Sequence, residues 1–225
     1  MWLERVGTDR ECPFTPRYRA ESWRGTARGA WGQLIDLTPR LLKYAYFTQG
    51  GAYSEVEIDV LSGDFTILRT DIVMDVGRSL NMGIDVGQVE GAFVQGMGLM
   101  TLEETLVFPN GRIQTIGPGF RDIPQEFNIN LLKGARYPHL KTIGSSKGVG
   151  EPPLFLGSTV LFAIRDAVKA ARSDAGLAVS GENVVPFRLD SPATAERIRL
   201  ACQDDIVKRT AVKAAPHEKN WVVTL

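Results

Sequence analysis

Glu151 ends a run of small residues and opens a double proline, in Gly144–Ser145–Ser146–Lys147–Gly148–Val149–Gly150–Glu151–Pro152–Pro153. A carboxylate at this place can serve two ends. Ahead of prolines and a predicted helix, it stands where the positive end of a helix dipole favours a negative charge. Beside Val149, Leu154 and Phe155 it can instead be a general base, because apolar surroundings disfavour a charged carboxylate and suit it to taking up a proton. Spacing alone leaves both roles open. The loop ahead of it is no P-loop, which needs Lys–Ser or Lys–Thr after its second glycine, whereas Lys147 is followed by Gly148. Its amides can still hold an anionic group in a milder way, or the glycines can simply make a tight turn.

Other chemically capable residues are more isolated. Gln88, at the start of a glycine-rich helical segment, is a neutral donor and acceptor, either solvated or in contact with a ligand. Glu103–Glu104 and Asp204–Asp205 read as solvated helix ends. His139 and His217 have no second ligand at metal spacing, so no residue is assigned to a metal. Cys12 and Cys202 are far apart and form no CxxC pair, which argues against a disulfide framework or a metal–sulfur site built from this chain alone.

These residues need a scaffold. Val56, Ile58 and Val60 alternate with Glu55, Glu57 and Asp59, which predicts a half-buried strand. Ser62–Gly63–Asp64 then offers a turn, and residues 65–76 supply one or two further strands. Between Gln88 and Thr105 the period becomes helical, with Val89, Phe93, Gly96, Met97 and Met100 on one face and Leu99 at its edge. Gly91, Gly96 and Gly98 each weaken an isolated helix by about 1 kcal/mol, so close approach of a neighbour or a ligand is their better explanation. A second hairpin is predicted around Pro109–Asn110–Gly111, then a Gly/Pro loop over 117–126 and a strand from Phe127 to Leu132. Leu156, Val160, Leu161, Ile164, Ala167, Val168 and Ala171 mark an amphipathic helix. A last helix is expected from Ser191–Pro192 to about Cys202. The polar tail beyond is expected to dock at Trp221.

Strands followed by helices without strict alternation predict an α+β fold: layered mixed sheet hairpins with packed helices. Residues 1–43 show no period and are left unassigned, residues 44–205 form the domain, and 206–225 the tail. Lys plus Arg number 26 against 26 Asp plus Glu, so no basic surplus points to nucleic acid. No apolar run approaches the roughly 18 residues of a membrane span. The first residues lack an apolar signal core, and Glu4, Asp9, Glu11 and Glu21 argue against a transit peptide. Residues 221–225 match no peroxisomal or retention signal, so a cytoplasmic location is the default, with a peroxisomal one left open.

Four segments, in order, resemble the xanthine dehydrogenase and aldehyde oxidase family of molybdenum hydroxylases. They are Leu68–Arg69–Thr70–Asp71–Ile72–Val73–Met74–Asp75–Val76–Gly77, Gly87–Gln88–Val89–Glu90–Gly91–Ala92–Phe93–Val94–Gln95–Gly96, Ser145 through Leu156, and Leu189–Asp190–Ser191–Pro192–Ala193–Thr194. Several long matches in the family's order are far more specific than one glycine motif. The resemblance places this chain in the second half of the molybdenum–molybdopterin-binding region. It implies that Glu151 is the catalytic base and that Gln88, Val149 and Gly150 neighbour the cofactor. The implied reaction is hydroxylation of a purine carbon (xanthine or hypoxanthine) or an aldehyde carbon. Electrons would leave through 2Fe–2S clusters and FAD, in domains absent from this chain, to NAD or oxygen. Complete members are expected to be homodimers. Pro152–Pro153 after Glu151 looks like xanthine dehydrogenase, while Ser146–Lys147–Gly148 is closer to some aldehyde oxidases; the first is the reading taken.

The chain also departs from the family. Members are much longer, the loop Gly119–Phe120–Arg121–Asp122–Ile123–Pro124 is shorter than usual, and residues 1–40 match nothing recognised in it. A truncated product would explain all three. Two functional readings therefore stand: part of a molybdenum hydroxylase, or a non-catalytic remnant that binds no cofactor by itself.

Overall fold

The computed structural model describes residues 46–134, 142–179, 181, 184–210 and 223–224. Strand β1 (Gly50–Ile58) turns into β2 (Phe65–Met74), which leads to helix α1 (Met82–Thr101), the short strands β3 (Leu106–Val107) and β4 (Ile113–Gln114), and β5 (Glu126–Leu131). A 3-10 segment at Pro152–Gly157 precedes α2 (Ser158–Asp174), then come α3 (Ala195–Cys202), α4 (Asp205–Thr210) and β6 (Val223–Thr224). Three-stranded sheets run in the orders β1-β2-β5 and β4-β3-β6. Backbone bonds Asp59→Asp64 and Asp75→Gln49 make β1 and β2 antiparallel, whereas Gln125→Ile67 and Leu132→Met74 advance together, so β5 runs parallel to β2. The sheet is mixed, and the fold is α+β.

The predicted first hairpin is present. Alternate residues of β1 turn inward, Ala52 and Ser54 being buried and Tyr53 and Glu55 exposed. Its turn is organised by Asp59, whose carboxylate accepts the Leu61 amide and the Ser62 hydroxyl, both at 2.8 Å. Residues 65–76 give one strand, not two.

The chain divides into two compact units, and β1, β2, α1 and β5 each contribute residues to both. The first contains the described parts of 46–53, 71–92 and 128–156, with Ile72, Met74, Val76, Val89 and Val149 in its core. Here α1 begins six residues before the predicted Gln88. Asn81 explains the earlier start: its side-chain oxygen accepts the Ile84 amide at 3.3 Å and its carbonyl accepts the Asp85 amide at 3.0 Å. Gly83 and Gly87 conceal that turn from a reading based on apolar spacing.

The second unit contains 54–70, 93–127 and the described residues from 157 on. Phe93, Met97, Val160, Ile164, Val168 and Ile198 are fully buried, and the rings of Phe93 and Phe127 lie 5.2 Å apart. A chain of buried hydroxyls links β1, β2 and α2: Ser54 bonds Thr70 at 3.1 Å and Thr159 at 2.7 Å. The predicted Asn–Gly hairpin forms with Leu106 opposite Gln114 and Val107 opposite Ile113, and Gly111 takes the φ of 80° its turn requires.

Several expectations change in this unit. The last helix starts at Ala195, not at Ser191–Pro192. The Ser191 hydroxyl bonds the Leu99 carbonyl at 2.9 Å and the Ala193 amide bonds the Met100 carbonyl at 2.8 Å, so this segment satisfies the open carbonyls ending α1 instead of capping α3. Glu104 is not solvated but pairs with Arg197 at 2.6 Å. Asp204 is not a free helix end either. The Arg199 guanidinium, bonded to both its oxygens at 3.0 and 3.1 Å, holds its carboxyl below the usual carboxylate range. The same carboxylate accepts the Val207 amide at the start of α4. The tail pairs β6 with β3, Val107 opposite Val223. Trp221, His139, His217 and Cys12 lie outside the described residues. Cys202 is buried, its thiol directed to the Ile198 carbonyl, and burial pushes that thiol's pKa up.

The predicted close approach is realised at Gly98, where a Cβ would lie 2.4 Å from Pro118 Cγ, and at Gly96, which is approached by Gly157, but not at Gly91, which faces open space. A Cβ on Gly157 would lie 2.2 Å from the Met97 amide nitrogen and 2.5 Å from the Gly96 carbonyl carbon. Both are helix backbone and cannot yield cheaply. Gly157→Ala is expected to destabilise this unit by about 1–3 kcal/mol, seen as a lower thermal midpoint. An unchanged midpoint would show that α1 and this segment are not held so closely.

Candidate functional site

The first unit brings Gln88, Val149, Gly150 and Glu151 together. Gln88 is exposed on α1, and its Oε1 lies 3.0 Å from where a Cβ on Gly150 would be. A side chain at 150 would push the amide oxygen aside by a few tenths of an ångström. Burial alternates along the loop: Lys147 and Val149 face inward, Gly148 and Gly150 outward, with Glu151 exposed beside Gly150. Val149 is buried, so the loop offers its backbone, not its side chain, on the outer face.

Glu151 is not at the start of an α-helix. It precedes the 3-10 segment Pro152–Gly157, whose first turn uses the Glu151 carbonyl to accept the Leu154 amide at 3.1 Å, and α2 begins only at Ser158. The helix-dipole role thus loses its geometric basis. The apolar neighbours do not enclose the carboxylate either, since Val149 is buried, Leu154 and Phe155 are half-buried, and Glu151 itself is exposed.

The anion-holding reading of the loop is narrowed. Four of its amides are already engaged within the protein: Ser145 to the Thr142 carbonyl at 3.3 Å, Ser146 to Ile143 at 3.2 Å, Lys147 to Val76 at 3.0 Å, and Gly148 to the Tyr46 hydroxyl at 2.9 Å. Gly144 and Ser145 take left-handed φ values of 61° and 59°, so the loop makes a tight turn.

Two positions that sequence reasoning missed lie beneath this loop. Lys147 is buried, and its Nζ contacts Asp75 Oδ2 at 2.5 Å and the Phe47 carbonyl at 2.9 Å. Asp75 is buried too, and its other oxygen accepts the Gly77 amide at 2.8 Å. The available signal was a carboxylate between Met74 and Val76 at a strand end, matched by a lysine in a loop otherwise short of anchoring side chains.

Residues 18–126 match the family model described as a molybdopterin cofactor-binding domain, a match that begins inside the unassigned segment 1–43. The xanthine dehydrogenase of Emericella nidulans is 53% identical over 189 residues, which are 81% of this chain and 13% of that protein. That of Dictyostelium discoideum is 57% identical over 170 residues, 73% of this chain and 12% of its own length. The chain belongs to the xanthine dehydrogenase family. It spans only 12–13% of the length of these curated relatives. A carbon monoxide dehydrogenase structure from Oligotropha carboxidovorans superposes with a TM-score of 0.53 over 69% of this chain and 18% of that one, at 21% identity, a likeness of fold alone.

In this molybdopterin-binding region, the residues present fit one side of such a cofactor. A Cβ built on Gly87 or Gly91 would face open space, so beside Gln88 the exposed stripe of α1 is low, with Ile84 exposed one turn before it. A flat, polar group can lie against that surface and meet the Gln88 amide without displacing a side chain. Among the described residues no group of three or more His, Cys, Asp or Glu could hold a metal ion, and no helix is long and apolar enough to cross a membrane.

Proposed function

We propose that this chain supplies the base-bearing half of the active site of a molybdenum hydroxylase of the xanthine dehydrogenase type. The supporting observation is the approach of the Gln88 side chain to Gly150, which puts the exposed residue Glu151 next in the chain to that point. In this reading residues 44–205 are the second half of the molybdopterin-binding region and 206–225 its tail. The substrate is a purine such as xanthine or hypoxanthine, or an aldehyde, and the product carries a new hydroxyl on the attacked carbon.

When bound, the molybdenum cofactor would activate the oxygen and take up, together with its electron pair, the hydrogen that leaves the attacked carbon. The chain's own residues have narrower tasks. Gln88 offers a donor and an acceptor to a polar edge of the cofactor and orients it over α1. Gly150 and the Val149 backbone leave the outer face of the loop open. Glu151 takes the proton released as the oxygen becomes nucleophilic, which requires a carboxylate within hydrogen-bond reach and otherwise free to accept. Other domains of the same enzyme carry the 2Fe–2S clusters and FAD that pass electrons to NAD or oxygen. The complete enzyme is a cytoplasmic homodimer.

Gly150→Ala tests the arrangement. Its methyl group would stand 3.0 Å from Gln88 Oε1, moving either the amide or the loop. In the complete enzyme kcat/KM should fall by about tenfold, equivalent to ~1.4 kcal/mol of transition-state binding. Assaying xanthine and an aldehyde side by side shows which substrate class is turned over. Parent kcat/KM on both would overturn the proposed site.

A further inference from the structure

We propose that the buried Lys147–Asp75 ion pair is the positioning device that fixes Gly150 and Glu151. It rests on the reading of Glu151 as the base. The loop from Gly144 to Gly150 is poor in means of holding itself: five of its seven residues are glycine or serine, and Val149 is its one apolar side chain. Glycine gives up more conformational freedom on ordering than any other residue. A catalytic group, however, must be held within about 0.5 Å of its productive place.

The bonds that meet this demand converge on Lys147. Its amide bonds the Val76 carbonyl at 3.0 Å, and its ammonium reaches Asp75 at 2.5 Å and the Phe47 carbonyl at 2.9 Å. Asp75 in turn closes the backbone at Gly77, whose φ is 68° and where a Cβ would lie 2.4 Å from the Ser145 carbonyl oxygen. Gly77 pairs with Ser146, and the Arg78 amide bonds the Ser145 carbonyl at 2.8 Å. One carboxylate therefore ties the end of β2 to the loop, four residues ahead of Glu151. Apolar contacts could supply equal stability, but they are not directional. A buried ion pair adds little net stability once its desolvation is counted, and its value lies in fixing one arrangement. Lys147 and Asp75 act through the backbone and are positioning residues.

Lys147→Met alone would strand a buried carboxylate, so the deciding variant is the neutral pair Asp75→Asn with Lys147→Met. Asparagine keeps an acceptor for the Gly77 amide, and methionine keeps most of the lysine stem. In the complete enzyme this variant should load molybdenum fully and keep its thermal midpoint and KM. Its kcat should fall roughly 10- to 100-fold, the effect of a misplacement of about 1 Å. Lys147→Arg, which keeps a cation opposite Asp75, should hold kcat within about threefold of the parent. A purely structural role would not separate two variants of equal stability. Parent kcat in the neutral pair, with Glu151→Ala inactive, would overturn this inference and leave the base standing. Parent turnover in Glu151→Ala would remove the reading on which both rest.

Discussion

Replacing Glu151 by alanine in the complete enzyme should lower kcat by about 10²–10⁴-fold, the usual range for loss of a general base, while leaving molybdenum content and thermal midpoint unchanged. The structure gives reasons to expect that separation. Glu151 is exposed, and among the described residues its carboxylate makes no ion pair, so truncation removes no buried packing. Its neighbour Gly150 carries the contact with Gln88, and an alanine at 151 leaves that contact in place. KM should change little, since an interaction needed for proton transfer in the transition state is not one that holds the ground-state substrate. Glu151→Gln, which keeps shape and hydrogen bonding but takes up no proton, should be nearly as inactive. Molybdenum analysis beside steady-state kinetics on xanthine checks both. A variant with full molybdenum and parent kcat would end the case for Glu151 as base. Loss of molybdenum together with loss of activity would make it a cofactor-retaining residue instead.

How much of this was legible in the sequence depended on the physical basis of each feature. Periodic burial was legible: Val56 and Ile58 of β1 are half-buried between exposed Glu55 and Glu57, and the Val89–Phe93–Met97 face of α1 and the Leu156–Val160–Ile164–Val168 face ahead of and along α2 are buried. So was the Asn110–Gly111 turn, because only a few residues take its backbone angles without strain. Capping was misread where the partner was distant in sequence. Ser191 has the type of a helix-start residue, yet its hydroxyl serves the end of α1, 92 positions away. The start of α1 was missed for the converse reason, since Asn81 caps a turn whose Gly83 and Gly87 carry no apolar signal. In the candidate site, the resemblance singled out Gln88, Val149, Gly150 and Glu151. The meeting of Gln88 with Gly150, the exposure of Glu151 and the anchoring of Lys147 on Asp75 required coordinates. A contact across 72 residues of chain has no local period to announce it.

At Arg172 magnitudes distinguish a buried charge from a buried shape. It is 0% exposed, on the inner face of α2 among Val168 and its neighbours. Its Nη1 donates to the Ala201 carbonyl at 2.8 Å, near the end of α3, and its Nη2 to the Val185 carbonyl at 3.0 Å. The guanidinium lies 4.8 Å from the centre of the Phe187 ring, and its Nε has no hydrogen-bond partner among the described residues. Among the described residues no ion pair involves it. Burying a cation costs several kcal/mol even after relaxation. Two charged hydrogen bonds contribute about 1.5–3 kcal/mol each and a desolvated cation–π contact about 2, so the charge roughly breaks even. The side chain's volume does not. Arg172→Ala opens a cavity and strands the buried Ala201 carbonyl, and should cost about 3–5 kcal/mol, as for other large-to-small core changes. Arg172→Met keeps most of the stem and removes the desolvation cost along with the bonds, and should cost no more than about 1–2 kcal/mol. Amide hydrogen exchange along α2 and α3 measures both locally: protection should fall by at least about a hundredfold in the alanine variant, since ~1.4 kcal/mol is a factor of ten, and by less than about thirtyfold in the methionine variant. Equal losses in the two would mean that the charge itself, and not the packing of its stem, holds α2 to α3.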